Sequence, residues 1–400
     1  MTPPRVSAVT PRIAVIAGAP DLVGTAHDLG IETVFVHDER VPRPPVADEA
    51  DMALAVNLSD SDALHSALAP LHATRPFARV MSLTEHGLVP AASAAERLGI
   101  PGNSLDTVRM LRDKRRMREV LNARGISPVQ VSAPAHAADL AEFCRTVGGP
   151  VILKPSAGSS SKAIVLVETA DLAADAWRAF ETAGGIDPIA EEYIDGPEVS
   201  VESYSHEGRH TLLAITDKLI NDAFVEVGHS QPSVLDMPVL QEVDKLVRTF
   251  LDAVGLREGP AHTEVRITSN GPRIIESHDR IGGDKISELL RRVYGLDLLA
   301  ITAGCPLDLL PPPSPAPVAR GGAAIRFLLP TPGTVTRIVV PDTHGTTAEI
   351  RVKVAVGDRV RPVRSSEDRA GYVMVDGTDA ADASRICKDL AARVLIETGQ

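Results

Sequence analysis

Hydrophobic and polar positions alternate most clearly in two runs, Ala261–Thr268 and Pro272–Ser277, separated by Ser269-Asn270-Gly271. Period-two alternation around such a turn signal predicts a β-hairpin. Glu264 lies as far before Asn270 as Glu276 lies after it. A three-residue loop centred on Asn270 would set the two carboxylates opposite each other on one face; a two-residue Asn270-Gly271 turn would send them to opposite faces. Like charges facing across a ladder destabilise it unless a cation lies between them, so the facing register points to a metal site. A surface hairpin with solvated charges is the competing reading. Arg280, Gly282, Gly283 and Asp284 follow, leading into a helical pattern.

Earlier in the chain, the strand Arg12–Gly18, helix Asp21–Leu29 and strand Thr33–Val36 form a βαβ opening. Helix Ser61–Ala69, strand Arg79–Leu83 and helix Glu85–Leu98 continue it, predicting a doubly wound domain that ends near Pro101-Gly102. Thr84-Glu85-His86 reads either as a ligand edge of that sheet or as an ordinary helix start. GxGxxG is absent, which leaves only weak grounds for a dinucleotide site.

Asp113-Lys114 opens an amphipathic helix stopped by Gly125. The apolar strand Val151–Lys154 breaks into Pro155–Lys162, rich in Ser and Gly, before the strand Ala163–Val167. Small residues let backbone N–H groups approach an anion, and Lys154 at the end of an apolar run calls for an anionic partner. A flexible loop with Lys154 reaching solvent is the alternative. Ile189–Ile194, Val199–Tyr204 and Thr211–Thr216 read as an antiparallel meander, Val225–Ser233 as a polar loop containing His229, and Val239–Val254 as a helix. Helices Ile286–Tyr294 and Leu299–Ala303 precede a proline-rich linker, Pro311–Pro317. Strands Gly322–Leu328, Thr334–Val340, Ile350–Val354 and Tyr372–Val375 and a closing helix Ala380–Ile396 suggest a small α+β appendage.

The chain has 400 residues, 44% apolar and 24% charged, which fits a folded protein of two or three domains. A net charge of −12 argues against nucleic acid or an anionic membrane as its main partner. Cys144, Cys305 and Cys387 are odd in number and widely spaced. This fits a reducing cytoplasm and excludes a disulfide framework or thiolate metal site. The first residues lack a signal pattern, and no apolar run approaches membrane length.

Asp113-Lys114, Ile152–Pro155, the Ser/Gly loop, Glu191–Glu198 and the Glu264/Glu276 hairpin together resemble the ATP-grasp superfamily. Thr216–Lys218, Gly228–Ser233, Arg280–Gly283 and Asp368–Tyr372 resemble its L-amino acid ligase branch. The resemblance implies an N-terminal α/β domain at 1–105, an ATP-grasp domain at 106–310 with a mobile lobe at about 128–190, and an α+β domain at 311–400. It implies ATP with one or two Mg²⁺, for which Mn²⁺ can substitute. Lys114, Lys154, Ser156, Ser159, Ser160, Ser161 and Lys218 would hold the nucleotide with Glu191, Glu192, Ile194 and Glu198. Glu264 and Glu276 would hold the metal. His278 stands where the family usually has Asn, and an imidazole is a poor magnesium ligand. Arg280, Glu276 and Lys154 would be catalytic, and His229, Ser233, Arg280, Gly282 and Gly283 would line the substrate pocket. The implied reaction joins a carboxylate and an amine through an acyl phosphate, with a homodimer as the implied assembly. A carboxylase, a carrier-loading ligase and a nucleotide-binding regulator without turnover are the alternatives.

Overall fold

The computed structural model describes residues 10–18, 20–158, 162–343 and 347–399. Strands Arg12–Ile16, Glu32–Asp38, Met52–Val56 and Arg79–Met81 form a parallel sheet with the first strand between the second and fourth. Alternate residues of Arg12–Ile16 face opposite ways. Ala14 and Ile16 pack with Leu64, Leu68, Ala91 and Ala94 of helices Ser61–Thr74 and Leu88–Leu98. Ile13 and Val15 pack with Leu22 and Ala26 of helix Pro20–Asp28 and with Ala303 of helix Leu298–Gly304. Burying both faces is why this strand reads as a continuous apolar run, and it gives the expected doubly wound layer.

Helix Leu88–Leu98 begins at Leu88, not at Glu85 as its periodicity predicts. The Gly87 N–H bonds Thr84 O, and a Cβ on Gly87 would lie 2.6 Å from Ile16 O, so the chain must turn there on a glycine. This turn leaves Glu85 outside the helix, at the carboxyl edge of the sheet.

A second sheet runs in the order Val131–Ser132, Pro188–Glu192, Val151–Pro155, Val165–Val167, all antiparallel. Leu140 and Phe143 of helix Ala137–Val147 and Phe180 of helix Ala173–Thr182 cover Val151 and Leu153.

The largest sheet among the described residues has eight strands: Gly271–His278, Gly259–Thr268, Glu198–His206, Arg209–Ile220, Glu226–Gln231, Gly322–Leu328, Gly371–Gly377 and Ala348–Val352. Helix Met237–Val254 covers one end through Val243, Val247, Phe250 and Leu251. Two expectations change here, the polar loop at 226–231 and the extent of the closing helix. Residues 226–231 form a strand, not a loop, bonded on both sides to Arg209–Ile220 and Gly322–Leu328. Backbone pairing and side-chain bonds such as Gln231 Nε2 to Thr216 Oγ1 (2.8 Å) satisfy a polar strand that hydrophobic alternation does not reveal. Of the C-terminal strands, Gly322–Leu328, Gly371–Gly377 and Ala348–Val352 continue this same sheet, while Gly333–Val339, Arg359–Val360 and Leu395–Gly399 form a separate three-stranded sheet. The closing helix ends at Ala391, and Leu395–Gly399 pairs with Gly333–Val339. Val394, Ile396 and Thr398 are β-branched and suit an extended segment.

The hairpin reaches its facing register by a route that neither predicted turn describes. Thr268 pairs with Gly271 across a two-residue Ser269-Asn270 turn, and that register would set Glu264 against Ile275. A β-bulge between Glu264 and Val265 on one strand and Ile274 and Glu276 on the other restores the pairing Glu264↔Glu276. Ser127 and Arg118 fix the bulge. Ile274 N–H donates to Ser127 Oγ (2.8 Å), and Arg118 donates to Ile274 O (2.8 Å).

Candidate active site

The three sheets meet at a cleft of about 870 Å³. Its walls come from the carboxyl edge of the parallel sheet (Glu85), the small lobe (Lys154, Glu191) and the central sheet (Lys218, Glu264, Glu276). Arg280, Gly282, Gly283 and Asp284 also line it.

Each cation at this cleft meets a carboxylate. Lys154 Nζ lies 2.6 Å from Glu191 Oε2, and Arg118 Nε lies 2.7 Å from Glu191 Oε1, with all three side chains at most 6% exposed. Burial pushes the Glu191 carboxyl up, but Lys154 and Arg118 overrule it and hold the pKa below its ordinary value. The anion that Lys154 requires is therefore already present in the protein. Lys114 Nζ lies 2.9 Å from Glu276 Oε2 and donates to Gly158 O at 3.0 Å. Lys218 lies among Glu264 (2.5 Å), Glu198 (2.8 Å) and Glu226 (3.4 Å), while Arg266 takes the other oxygen of Glu198 at 3.1 Å.

Glu264 and Glu276 face each other at the centre. Burial pushes Glu264 up, but Lys218 and His262 bring it down to about 2 against the repulsion of Glu276. Burial likewise opposes ionisation of Glu276, and Lys114 and His278 hold it well below its ordinary value. Two ionised carboxylates aimed at one space suit Mg²⁺, which binds few protein oxygens and completes its shell with phosphate and water. Among the described residues no group of three or more His, Cys, Asp or Glu is placed to hold a metal ion, so the pair stands without a protein cage. His278 is a partner of Glu276 (Nε2 to Oε1, 3.1 Å) and lies 3.2 Å from Glu85, with burial pushing its imidazole down to about 4.

Arg280 pairs with Glu85, which also pairs with Arg112. Gly282 is required where it stands, since a Cβ there would lie 2.9 Å from His262 Nδ1 and 3.0 Å from Glu202 Oε2. Asp284 receives two bonds from Arg369 and lies 3.6 Å from His229 Nε2. His229 is 1% exposed and lines the cleft.

Some sequence-predicted residues sit elsewhere. Ser156 is buried, with its hydroxyl on Asp187 and its carbonyl taking Lys114 N–H, and it does not line the cleft. Ser233 is likewise off the cleft and donates to Asp217 at 2.5 Å. The Glu191 and Glu198 side chains are committed to cations, and Glu192 accepts from Gln130 N and Nε2, both at 3.1 Å. Ile194 lines the cleft, and its carbonyl takes Arg266 Nη1 at 3.2 Å. Ser159, Ser160 and Ser161 lie outside the described residues. Sequence reasoning missed Arg112, Arg118, Glu202 and His262, and it singled out the segment holding Arg369 without giving that residue a role. Unpaired charges in apolar surroundings, such as Arg118 beside Met117 and Leu121, were the available signal.

A model described as the ATP-grasp N-terminal domain matches residues 23–102, the ATP-grasp domain matches 147–288, and L-amino acid ligase C-terminal domain 2 matches 326–399. Alanine–anticapsin ligase of Bacillus subtilis strain 168 is 27% identical over 235 residues, 53% of this chain and 50% of that protein. The L-arginine-specific L-amino acid ligase of Bacillus subtilis is 22% identical over 253 residues, 60% of each chain. The chain thus spans about half the length of the first of these curated relatives. The crystal structure of an L-amino acid ligase from Bacillus licheniformis shares the fold, with a TM-score of 0.82 at 22% identity over 98% of this chain and 99% of that one. With these domains in this order, the chain belongs to the ATP-grasp superfamily and carries a C-terminal domain of the L-amino acid ligase type.

Proposed function

We propose that the protein is an ATP-dependent carboxylate–amine ligase that joins amino acids, or an amino acid and a small acid, releasing ADP and phosphate. The supporting observation is the facing pair Glu264 and Glu276 in one cleft with Lys114, Lys154 and Arg280. Phosphoryl transfer asks chiefly for positioning and charge neutralisation. Lys114 and Lys154 would hold phosphate oxygens, and Glu264 and Glu276 the metal, which when bound supplies charge neutralisation between phosphates. Arg280, set by Glu85, would steady the phosphoryl group as it passes to the substrate carboxylate. An amine then attacks the acyl carbon and phosphate leaves. Residues 128–190 act as the lobe that closes over the nucleotide and shields the acyl phosphate from water.

Among the described residues no helix is long and apolar enough to cross a membrane, and Cys144, Cys305 and Cys387 are free and buried, which favours a reducing cytoplasm as the compartment. A homodimer is the assembly we expect, testable by light scattering. The activity is tested by phosphate release from ATP and Mg²⁺, then Mn²⁺, over pairwise amino acids, with mass spectrometry of the product. ATP binding without ADP release over the whole panel would refute the ligase.

A further inference from the structure

At neutral pH the amine of an amino acid is an ammonium and has no lone pair to attack an acyl carbon, so the second half of the ligase reaction needs a proton acceptor. The carboxylates of the cleft are poor candidates, because cations already engage Glu85, Glu191, Glu198, Glu226, Glu264, Glu276, Asp284 and Glu367, and Glu192 accepts two bonds from Gln130. Four histidines line it: His86, His229, His262 and His278. His86 is exposed. His262 has both ring nitrogens engaged, Nδ1 on Glu202 at 2.7 Å and Nε2 3.5 Å from Glu264. His278 is wedged between Glu85 and Glu276.

His229 differs from all three. It is buried, it lines the cleft, and neither ring nitrogen has a hydrogen-bond partner among the described residues. Its Nε2 lies 3.6 Å from Asp284 Oδ2, beyond hydrogen-bond length but within reach of a small closure. Catalytic hydrogen bonds are often this long before substrate binds. Arg369 grips both oxygens of Asp284 and stacks 3.7 Å over the Phe327 ring, against which His229 sits edge-on. Asp284 and Lys285 hold φ of 53° and 66°, an uncommon conformation for non-glycine residues that fixes the carboxylate four residues beyond Arg280. Lys218, the cross-strand neighbour of His229, is occupied by its own three carboxylates.

We propose that His229, oriented by Asp284 and Arg369, is the general base that takes a proton from the attacking amine; this rests on the ligase reading above. Nε2–H turned to Asp284 leaves Nδ1 as acceptor. The ammonium gives one proton to Nδ1, and the freed lone pair forms the C–N bond. The acyl C–O bond breaks, and phosphate leaves with that electron pair and takes the second amine proton. His229 returns its proton to solvent after product release.

The test compares two nucleophiles. Hydroxylamine is largely unprotonated at neutral pH, so it traps an acyl phosphate as hydroxamate without a base. In His229→Gln the amide rate should fall about 100-fold or more, the usual scale of general-base catalysis, while the hydroxamate rate stays within about threefold. Asp284→Asn should show the same split to a smaller degree, and it supplies the readout if the first variant fails to fold. Equal loss with both nucleophiles, or an unchanged amide rate, would overturn the assignment. A parent protein that forms neither hydroxamate nor amide with any acid would sink the ligase reading itself and the base with it.

Discussion

Glu191 is the buried anion on which two cations depend, and Glu191→Gln removes its charge while keeping its shape. Lys154 and Arg118 then lose a partner at 2.6 and 2.7 Å in a place where the three side chains are 6, 0 and 4% exposed. Arg118 keeps its bonds to Ser127 O and Ile274 O, but Lys154 is left with a buried charge. Breaking a buried pair from one side costs roughly 3–5 kcal/mol. The amide oxygen still accepts one bond, so we expect the lower end, about 3 kcal/mol, or roughly 6–12 °C in melting temperature for a unit of this size. Thermal unfolding followed by circular dichroism at pH 7.5 measures it.

The same pair fixes the pH dependence. The Glu191 carboxyl lies below its ordinary value of 4.5 in the folded state, so its contribution is fully present above 4.5 and is lost as pH falls through the folded value. The gap between parent and variant should therefore be widest near neutrality and close in acid. Lys154→Met added to Glu191→Gln removes the orphaned cation and should recover part of the loss. A melting temperature within about 2 °C of the parent at pH 7.5 would refute the reasoning, because water would then be reaching charges that the packing shows as sealed.

Glu276→Gln should abolish ADP formation while leaving the circular dichroism spectrum unchanged; near-normal turnover would remove Glu276 from the metal site. Ser127→Ala leaves the buried Ile274 N–H without its acceptor and should cost about 1–3 kcal/mol and lower kcat, read by urea unfolding and by phosphate release. Burial pushes Asp279 up to about 6 from 3.8, against Arg112 and Arg280. The folded state thus holds this proton more tightly, and stability falls as pH rises through that window. Asp279→Asn should be more stable than the parent at pH 8 by up to about 3 kcal/mol, with little gain at pH 4; equal gains at both would contradict the assignment.

Local pattern carried the hairpin strands, the doubly wound opening and the helix at Lys114, because period and capping are properties of neighbouring residues. The pairing of Glu264 with Glu276 was legible as one of two outcomes, but its cause was not. The bulge that produces it is fixed by Ser127 and Arg118, 147 and 156 residues away from Ile274. The Glu226–Gln231 strand escaped notice for a related reason. Its residues are polar, and only partners on both sides make that tolerable. Glu191 and Glu198 looked like ligand-facing acids because a sequence shows charge without showing what neutralises it.

That last point also explains how the cleft stays folded. A cluster of like-charged carboxylates would repel itself, and buried lysines would be driven neutral. Here Lys154, Lys114 and Lys218 are each engaged by at least one carboxylate. Each lysine of the cleft is thus held in place against an opposite charge in the protein itself. On the ligase reading, binding exchanges one set of oxygen partners for another, with Lys114 passing from Glu276 to a phosphate and Glu276 becoming free for the metal. Such an exchange needs little rearrangement of the sheet, which is the preorganisation that phosphoryl transfer rewards.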